Sequence, residues 1–181
     1  MEWAYRGPLN ADVRRLQKTV PQTQPQQRLI CVGAVVVRID AALFVRQSPG
    51  HSLAGQWTIP WGTLEDNERF SEAVIREIAD ESGIRATVDG LLGVQAIPPP
   101  WAGQVALLFR CRHVSGELTP DGRETDAAKY FTAAELLQLA EPIEPFCRWI
   151  ALEVLSGRVK TLASPLGNPY APTEGYFLGA V

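Results

Sequence analysis

The stretch that most narrows what this chain can become is residues 62–84, where a glycine, a helical run and a dense set of carboxylates follow one another. Phe70, Val74 and Ile78 recur four apart, along one stripe of an α-helix, and Gly83 supplies a stop signal after Ser82. The spacing predicts a helix over residues 70–82. On it Glu77 and Glu81 are i,i+4 neighbours and Glu77 and Asp80 are i,i+3 neighbours, so three carboxylates share one face. Val74 and Ile78 then occupy the opposing stripe, which packs on a sheet. Like charges at these spacings cost roughly 0.2–0.5 kcal/mol per pair. Arg76 and Arg85 offset part of that cost from outside the trio. A divalent cation would turn the repulsion into ligation, and oxygen ligands in this number suit Mg²⁺ or Mn²⁺. An acidic, solvated helix face is the other reading that the spacing leaves open.

Gly62, Glu68, Arg76, Glu77, Ile78, Glu81, Gly83 and Ile84 fall on the pattern G-x(5)-E-x(7)-R-E-U-x-E-E-x-G-U, with U aliphatic. In this the chain resembles the Nudix hydrolases. The resemblance runs over residues 29–140, with residues 43–47, the turn at 55–57 and Ile59-Pro60 similar to the family's approach to the box glycine. Two positions depart from the family. Asp80 replaces the first Glu of the E-E pair, which keeps a carboxylate but shortens its reach by one methylene. Trp61 stands where a second glycine is common. A bulky residue limits positive φ there, so either the turn is built differently or Trp61 forms part of the substrate pocket.

The resemblance implies an α+β fold, an α/β/α sandwich with a mixed β-sheet. It also implies Mg²⁺-dependent (or Mn²⁺-dependent) hydrolysis of a pyrophosphate linkage in a nucleoside diphosphate derivative of the ADP-ribose or nucleotide-sugar type. The carbonyl of Gly62 and the carboxylates of Glu77, Asp80 and Glu81 would bind the metal. Glu77 or Glu81 would help deprotonate the attacking water, while Glu68 and Arg76 would hold loop and helix together as an ion pair. Some members take a base or ligand from a loop outside the box. Glu124, within residues 121–126, is the first candidate and Asp126 the second, against the plain reading of a polar turn. ADP-ribose-cleaving members tend to carry a proline past the box. Pro99 falls there, although Pro98 and Pro100 would have matched as readily. A nucleoside triphosphate pyrophosphohydrolase and a nucleotide-sensing module that does not cut are the alternatives.

Around this stretch the chain patterns as a layered α+β domain. Residues 29–39 and 43–47 are β-rich runs joined by a hairpin at Asp40-Ala41-Ala42, and residues 57–60 make a short third strand. Further strands are expected at residues 88–95, 105–112 and 129–131, and helices at 133–139 and 143–156. By composition, residues 1–27 form an extension with a Pro/Gln-rich linker, 28–157 the domain, and 158–181 a Pro- and Gly-containing tail that must lean on it.

The 181 residues are 46% hydrophobic and 20% charged, enough for one proper core. A net charge of −3 gives no broad attraction to nucleic acid or an anionic membrane, so the charge of a phosphate-bearing small molecule must be met locally. No apolar run approaches the roughly 18 residues of a membrane span. Three widely spaced cysteines, Cys31, Cys111 and Cys147, argue against a disulfide framework, and a cytoplasmic setting is expected. Arg46 at a strand end is a candidate phosphate contact, and Trp101, after three prolines, is a candidate stacking platform. His51 and His113 are isolated. Trp3, Tyr5, Tyr170, Tyr176 and Phe177 need burial, either on their own domain or across a homodimer.

Overall fold

The apolar run Ile30–Arg38 forms β1, the middle of a mixed sheet, and Val32, Ala34, Val35 and Val36 are fully buried. A strand covered on both faces reads as continuous rather than alternating hydrophobicity, as this one does. The structure, a computed structural model, describes residues 29–97, 103–163 and 176. Pro98, Pro99, Pro100 and Trp101 lie outside the described residues.

After β1 come β2 (Ala41–Gln47), β3 (Trp57–Thr58), β4 (Trp61–Thr63), α1 (Phe70–Ser82), β5 (Arg85–Ala96), β6 (Val105–Ser115), β7 (Thr125–Thr132), α2 (Ala133–Gln138) and α3 (Pro145–Leu155). The seven strands make one sheet with the order β3-β2-β1-β6-β5, to which β4 adds on β1 and β7 on β2. β1 and β6 run parallel from Ile30↔Val105 to Val37↔Arg112, and the other pairings between strands are antiparallel.

The hairpin between β1 and β2 turns at Ile39-Asp40, one residue earlier than expected, because Arg38 already pairs with Ala41. Two-residue loops suit the twist of a hairpin, but they need a positive φ. Ile39 supplies it at φ 60° while standing 94% exposed.

β1 and β2 pair only beside that turn and then splay apart. The gap is filled by residues 57–63. β3 pairs with β2 through Val45↔Thr58 and Arg46↔Trp57, and β4 pairs with β1 through Cys31↔Thr63, Val32↔Gly62 and Gly33↔Trp61. Between them the Ala34 N–H donates to the Pro60 carbonyl at 3.0 Å. This wedge carries Trp61 and Gly62 into the sheet. Both are extended, so the positive φ that a tryptophan would resist is not required.

α1 covers one face through Val74 and Ile78, which pack with Val32, Val36, Leu43, Ile84 and Phe109. α2 and α3 cover the other face, where Val35, Phe44, Trp57, Leu108, Phe131, Ile150 and Val154 meet. The result is an α/β/α sandwich. Thr132 and Glu135 form a reciprocal capping box at the start of α2. Pro145 opens α3, with the Glu144 carboxylate accepting from the Cys147 N–H at 2.6 Å, so this helix starts two residues later than its pattern suggests.

Beyond α3 the chain crosses the β5 edge. Leu162 exchanges two backbone hydrogen bonds with Leu91, at 2.7 and 3.0 Å, and the Tyr176 ring meets Phe109 edge-on at 5.4 Å. An exposed strand edge is thereby covered. All three cysteines are buried thiols, and burial raises the pKa of each. Among the described residues no helix is long and apolar enough to cross a membrane.

Candidate active site

With Val74 and Ile78 anchored on the sheet, the next side chains round α1 turn toward β4. Glu77 is 7% exposed and Glu81 2% exposed, whereas the Asp80 side chain is 63% exposed. The three carboxylates predicted to share one face therefore divide into a buried pair and an outer member.

Gly62 explains how Glu77 fits. A β-carbon at this position would fall on the Glu77 carboxylate, so the strand must present bare backbone to the helix. Glu81 lies beside it and accepts from the Trp61 N–H at 3.0 Å. Burial pushes the Glu81 carboxyl well above the usual glutamate range. The charges of Glu77 and Glu124 add to that rise, and the Trp61 N–H and the Gln47 side chain oppose it. The Glu77 carboxyl is also raised, chiefly by burial, with Glu124 and Asp80 adding and Arg76 opposing.

Arg76 is not outside the acidic group, as helical spacing alone suggested. Its Nε and Nη2 donate to the two Glu68 oxygens at 2.8 and 2.9 Å, its Nη1 to Glu77 at 2.7 Å, and its Nη2 to the Thr63 carbonyl at 3.1 Å. Glu68, from the loop before the helix, pulls the guanidinium across the first turns and so brings it against Glu77. Hydrogen bonding to Arg76 holds the Glu68 carboxyl below its ordinary range.

The facing wall is the loop before β7. One Asp121 oxygen, Oδ1, accepts from the N–H groups of Arg123, Glu124 and Thr125 at 3.0, 2.9 and 3.0 Å. Burial pushes the Asp121 carboxyl up, but these N–H groups outweigh it and the net shift is downward. The Thr125 hydroxyl donates to the Glu81 carbonyl at 2.6 Å, and the Thr119 N–H to the Ser82 carbonyl at 2.8 Å. Gly83 ends α1 at φ 75°, and a β-carbon there would meet Thr119 at 2.9 Å. The loop is thus moulded onto the last turn of α1.

Between these walls lies an open polar cleft lined by Gly62, Arg76, Glu77, Asp80, Asp121, Arg123 and Glu124. Strand alternation puts Trp61 on the opposite side of β4 from Gly62. There Trp61, Gly33, Ile59, Leu108, Phe146 and Cys147 line an apolar pocket of about 230 Å³, with Thr58, Gln95 and Glu144 as its polar members.

Of the residues singled out in the sequence, Gly62, Glu77, Asp80 and Glu124 meet at the cleft with Arg76, whose partner is Glu68, and Glu81 is buried behind them. Arg46 does not join them. Its Nε is bound to Asp126 at 2.7 Å and its guanidinium stands 5.8 Å from the Trp57 ring centre, so the second loop candidate, Asp126, is engaged as well. Trp101 lies outside the described residues. His113 is 2.6 Å from the Tyr130 hydroxyl, away from the cleft. Gln47, Asp121 and Arg123 were not anticipated. Asp121 carried a signal, since Asp before Gly122 is a turn composition; Gln47 carried none.

Among the described residues, no three His, Cys, Asp or Glu side chains are drawn together closely enough to hold an ion as they stand. Asp80 is turned outward and Arg76 occupies one Glu77 oxygen. The donor chemistry nevertheless suits a hard divalent cation, because it consists of carboxylate and carbonyl oxygens, and burial together with the charges of Glu77 and Glu124 weighs against a bare negative charge on Glu81.

A model of the NUDIX domain matches residues 27–150. Over 137 residues the chain is 31% identical to an NAD-capped RNA hydrolase, NudC, of Vibrio vulnificus, covering 75% of this chain and 51% of that one. The chain therefore spans about half the length of that relative. Over 126 residues it is 28% identical to an ADP-ribose pyrophosphatase of Methanocaldococcus jannaschii, covering 66% of this chain and 73% of that one. A crystal structure of a NUDIX hydrolase from Nitrosomonas europaea superposes with a TM-score of 0.63 at 23% identity, covering 74% of this chain and 73% of that one.

Proposed function

The chain belongs to the NUDIX family of hydrolases, and from that premise we propose that it cleaves the pyrophosphate linkage of a nucleoside diphosphate derivative, of the ADP-ribose or nucleotide-sugar type, with Mg²⁺ or Mn²⁺ as cofactor. The observation that carries this reading is the pair of buried carboxylates, Glu77 and Glu81, set against β4 with Glu124 near enough for its charge to bear on both. Two buried like charges cost too much to persist without either protons or a cation, and a cation makes them useful.

In this reading Glu77, Asp80, Glu81 and the Gly62 carbonyl would hold the metal. When bound, such an ion would supply positive charge against the phosphate oxygens and would lower the pKa of the attacking water. Glu124 accepts the proton of the water that attacks phosphorus. The bridging P–O bond breaks, leaving a nucleoside monophosphate and a phosphorylated partner. Arg123, on the cleft wall, offers its guanidinium to a phosphate oxygen, while Arg76 stays committed to Glu68, Glu77 and Thr63. The apolar pocket behind Trp61 suits a flat, weakly polar ring. Relatives named for NAD-capped RNA and for ADP-ribose support the nucleoside diphosphate class.

The test is a panel of nucleotide-sugars, ADP-ribose, dinucleoside polyphosphates and nucleoside triphosphates, each with Mg²⁺ or Mn²⁺ and scored by product analysis. Release of a nucleoside monophosphate from ADP-ribose or a nucleotide-sugar is expected. Preferential turnover of triphosphates would overturn the substrate class, and turnover of nothing would point to a nucleotide-sensing module.

A further inference from the structure

The Asp121 carboxylate lines the cleft, yet the oxygen that the structure engages is turned onto its own loop. Oδ1 gathers three consecutive backbone N–H groups, those of Arg123, Glu124 and Thr125. On the other side the Glu124 carbonyl accepts from the Ser48 N–H at 2.9 Å, so both main-chain polar groups of Glu124 are fixed. The next residue, Thr125, is fully buried and reaches the Glu81 carbonyl through its hydroxyl at 2.6 Å. At the loop's other end the Thr119 N–H is held by the Ser82 carbonyl. The segment bearing Glu124 is therefore tied to the last turn of α1, which bears Glu81, one turn beyond Glu77.

We propose that Asp121 is a positioning residue that sets Glu124 in place to take the proton from the attacking water, with Thr125 as its second anchor. This rests on the reading above that Glu124 is the proton acceptor. With its backbone pinned, Glu124 has only its own side-chain rotamers left to order on the way to the transition state. Displacing a reacting group by an ångström can cost about a hundredfold in rate. Asp121 acts through hydrogen bonds to one acceptor oxygen, which its charge strengthens but a neutral amide oxygen can also accept, and this separates it from a metal ligand. Asparagine keeps such an oxygen and alanine does not.

The experiment compares Asp121→Ala, Asp121→Asn, Glu124→Gln and the Asp121→Ala/Glu124→Gln double variant in full-length protein. For Asp121→Ala, kcat should fall by about tenfold or more with KM nearly unchanged. Asp121→Asn should retain most of the wild-type kcat. On the Glu124→Gln background, Asp121→Ala should cost almost nothing further, because the group it positions has already been disabled. In metal-free protein, amide exchange at residues 123–125 should accelerate in Asp121→Ala and not in Asp121→Asn. If Asp121→Ala does not fold, Thr125→Val on both backgrounds reads the same coupling. Equal losses in Asp121→Asn and Asp121→Ala, or full additivity with Glu124→Gln, would overturn the positioning role and leave the proton-acceptor reading intact. Wild-type turnover in Glu124→Gln would remove both.

Discussion

The main-chain N–H of Trp61 donates to the carboxylate of Glu81 across 3.0 Å, joining the first residue of β4 to a helix residue twenty positions on. That hydrogen bond places a nearly inaccessible acid at the back of the cleft, and it can be kept while the charge is removed.

Glu81→Gln does this. The amide oxygen can still accept from Trp61, so circular dichroism and the unfolding transition should show an intact fold. Hydrolysis should fall by more than about a hundredfold, beyond the 10–100-fold typical of groups that only orient a ligand. Near-wild-type kcat in this variant would remove Glu81 from the site.

Gly62→Ala places a methyl group on the Glu77 carboxylate. Overpacking of this kind costs about 1–3 kcal/mol, readable as a lower urea midpoint, and activity should be lost with it. Adding Glu77→Ala removes the clash, so the double variant should regain stability but not activity. Additive destabilisation would show that the two residues are not in contact in solution.

Stability of the metal-free protein should depend on pH in a set direction. Burial raises Glu77 and Glu81, so the folded state holds protons that the unfolded chain releases. Their contribution is fully present below the ordinary glutamate range and is lost as pH rises toward neutrality. Glu68, lowered by Arg76, and Asp121, lowered by its N–H partners, act oppositely and contribute stability that is lost as pH falls into the acid range. In EDTA the melting temperature should therefore peak in mildly acidic buffer. Mg²⁺ should raise it more at neutral pH than at that peak. A melting temperature in EDTA that climbs steadily to pH 7, with no response to Mg²⁺, would contradict the site.

Ile39→Gly is predicted to stabilise the fold. A β-branched residue at φ 60° is strained by about 1–3 kcal/mol, and an isoleucine standing 94% exposed recovers little from packing. Part of the relief is spent on glycine's greater freedom in the unfolded chain, leaving a gain of about 1 kcal/mol with turnover unchanged. Chemical denaturation measures it directly, and a lower midpoint would mean that the turn tolerates isoleucine at no cost.

What the sequence made legible was local. The helix Phe70–Ser82 has the bounds that its four-residue spacing and Gly83 indicate, since both signals act within a few turns. The loop at residues 121–126 was visible, with Glu124 and Asp126 as candidate bases. A short strand at residues 57–60 was legible too, but β4 and the wedging of both strands between β1 and β2 were not, because nothing within residues 57–63 records that β1 and β2 diverge. The sequence therefore left Trp61 between an altered turn and a pocket wall, and it lies in an extended strand beside the apolar pocket. Arg46 looked available at a strand end, and its partner Asp126 arrives from eighty residues away. Arg76 was set apart from the acids by helical geometry, until Glu68 from outside the helix drew it in.

β4 is three residues long, and two of them face different pockets. A slip of one residue in its pairing with β1 would exchange the two sides. A slip one way would set the indole of Trp61 where Gly62 now meets Glu77, and a slip the other way would set Thr63 there and leave Gly62 lining the apolar pocket. Misalignment in either direction brings a side chain onto the Glu77 carboxylate. Folding to the correct alignment and building a two-sided site are thus a single requirement on this strand.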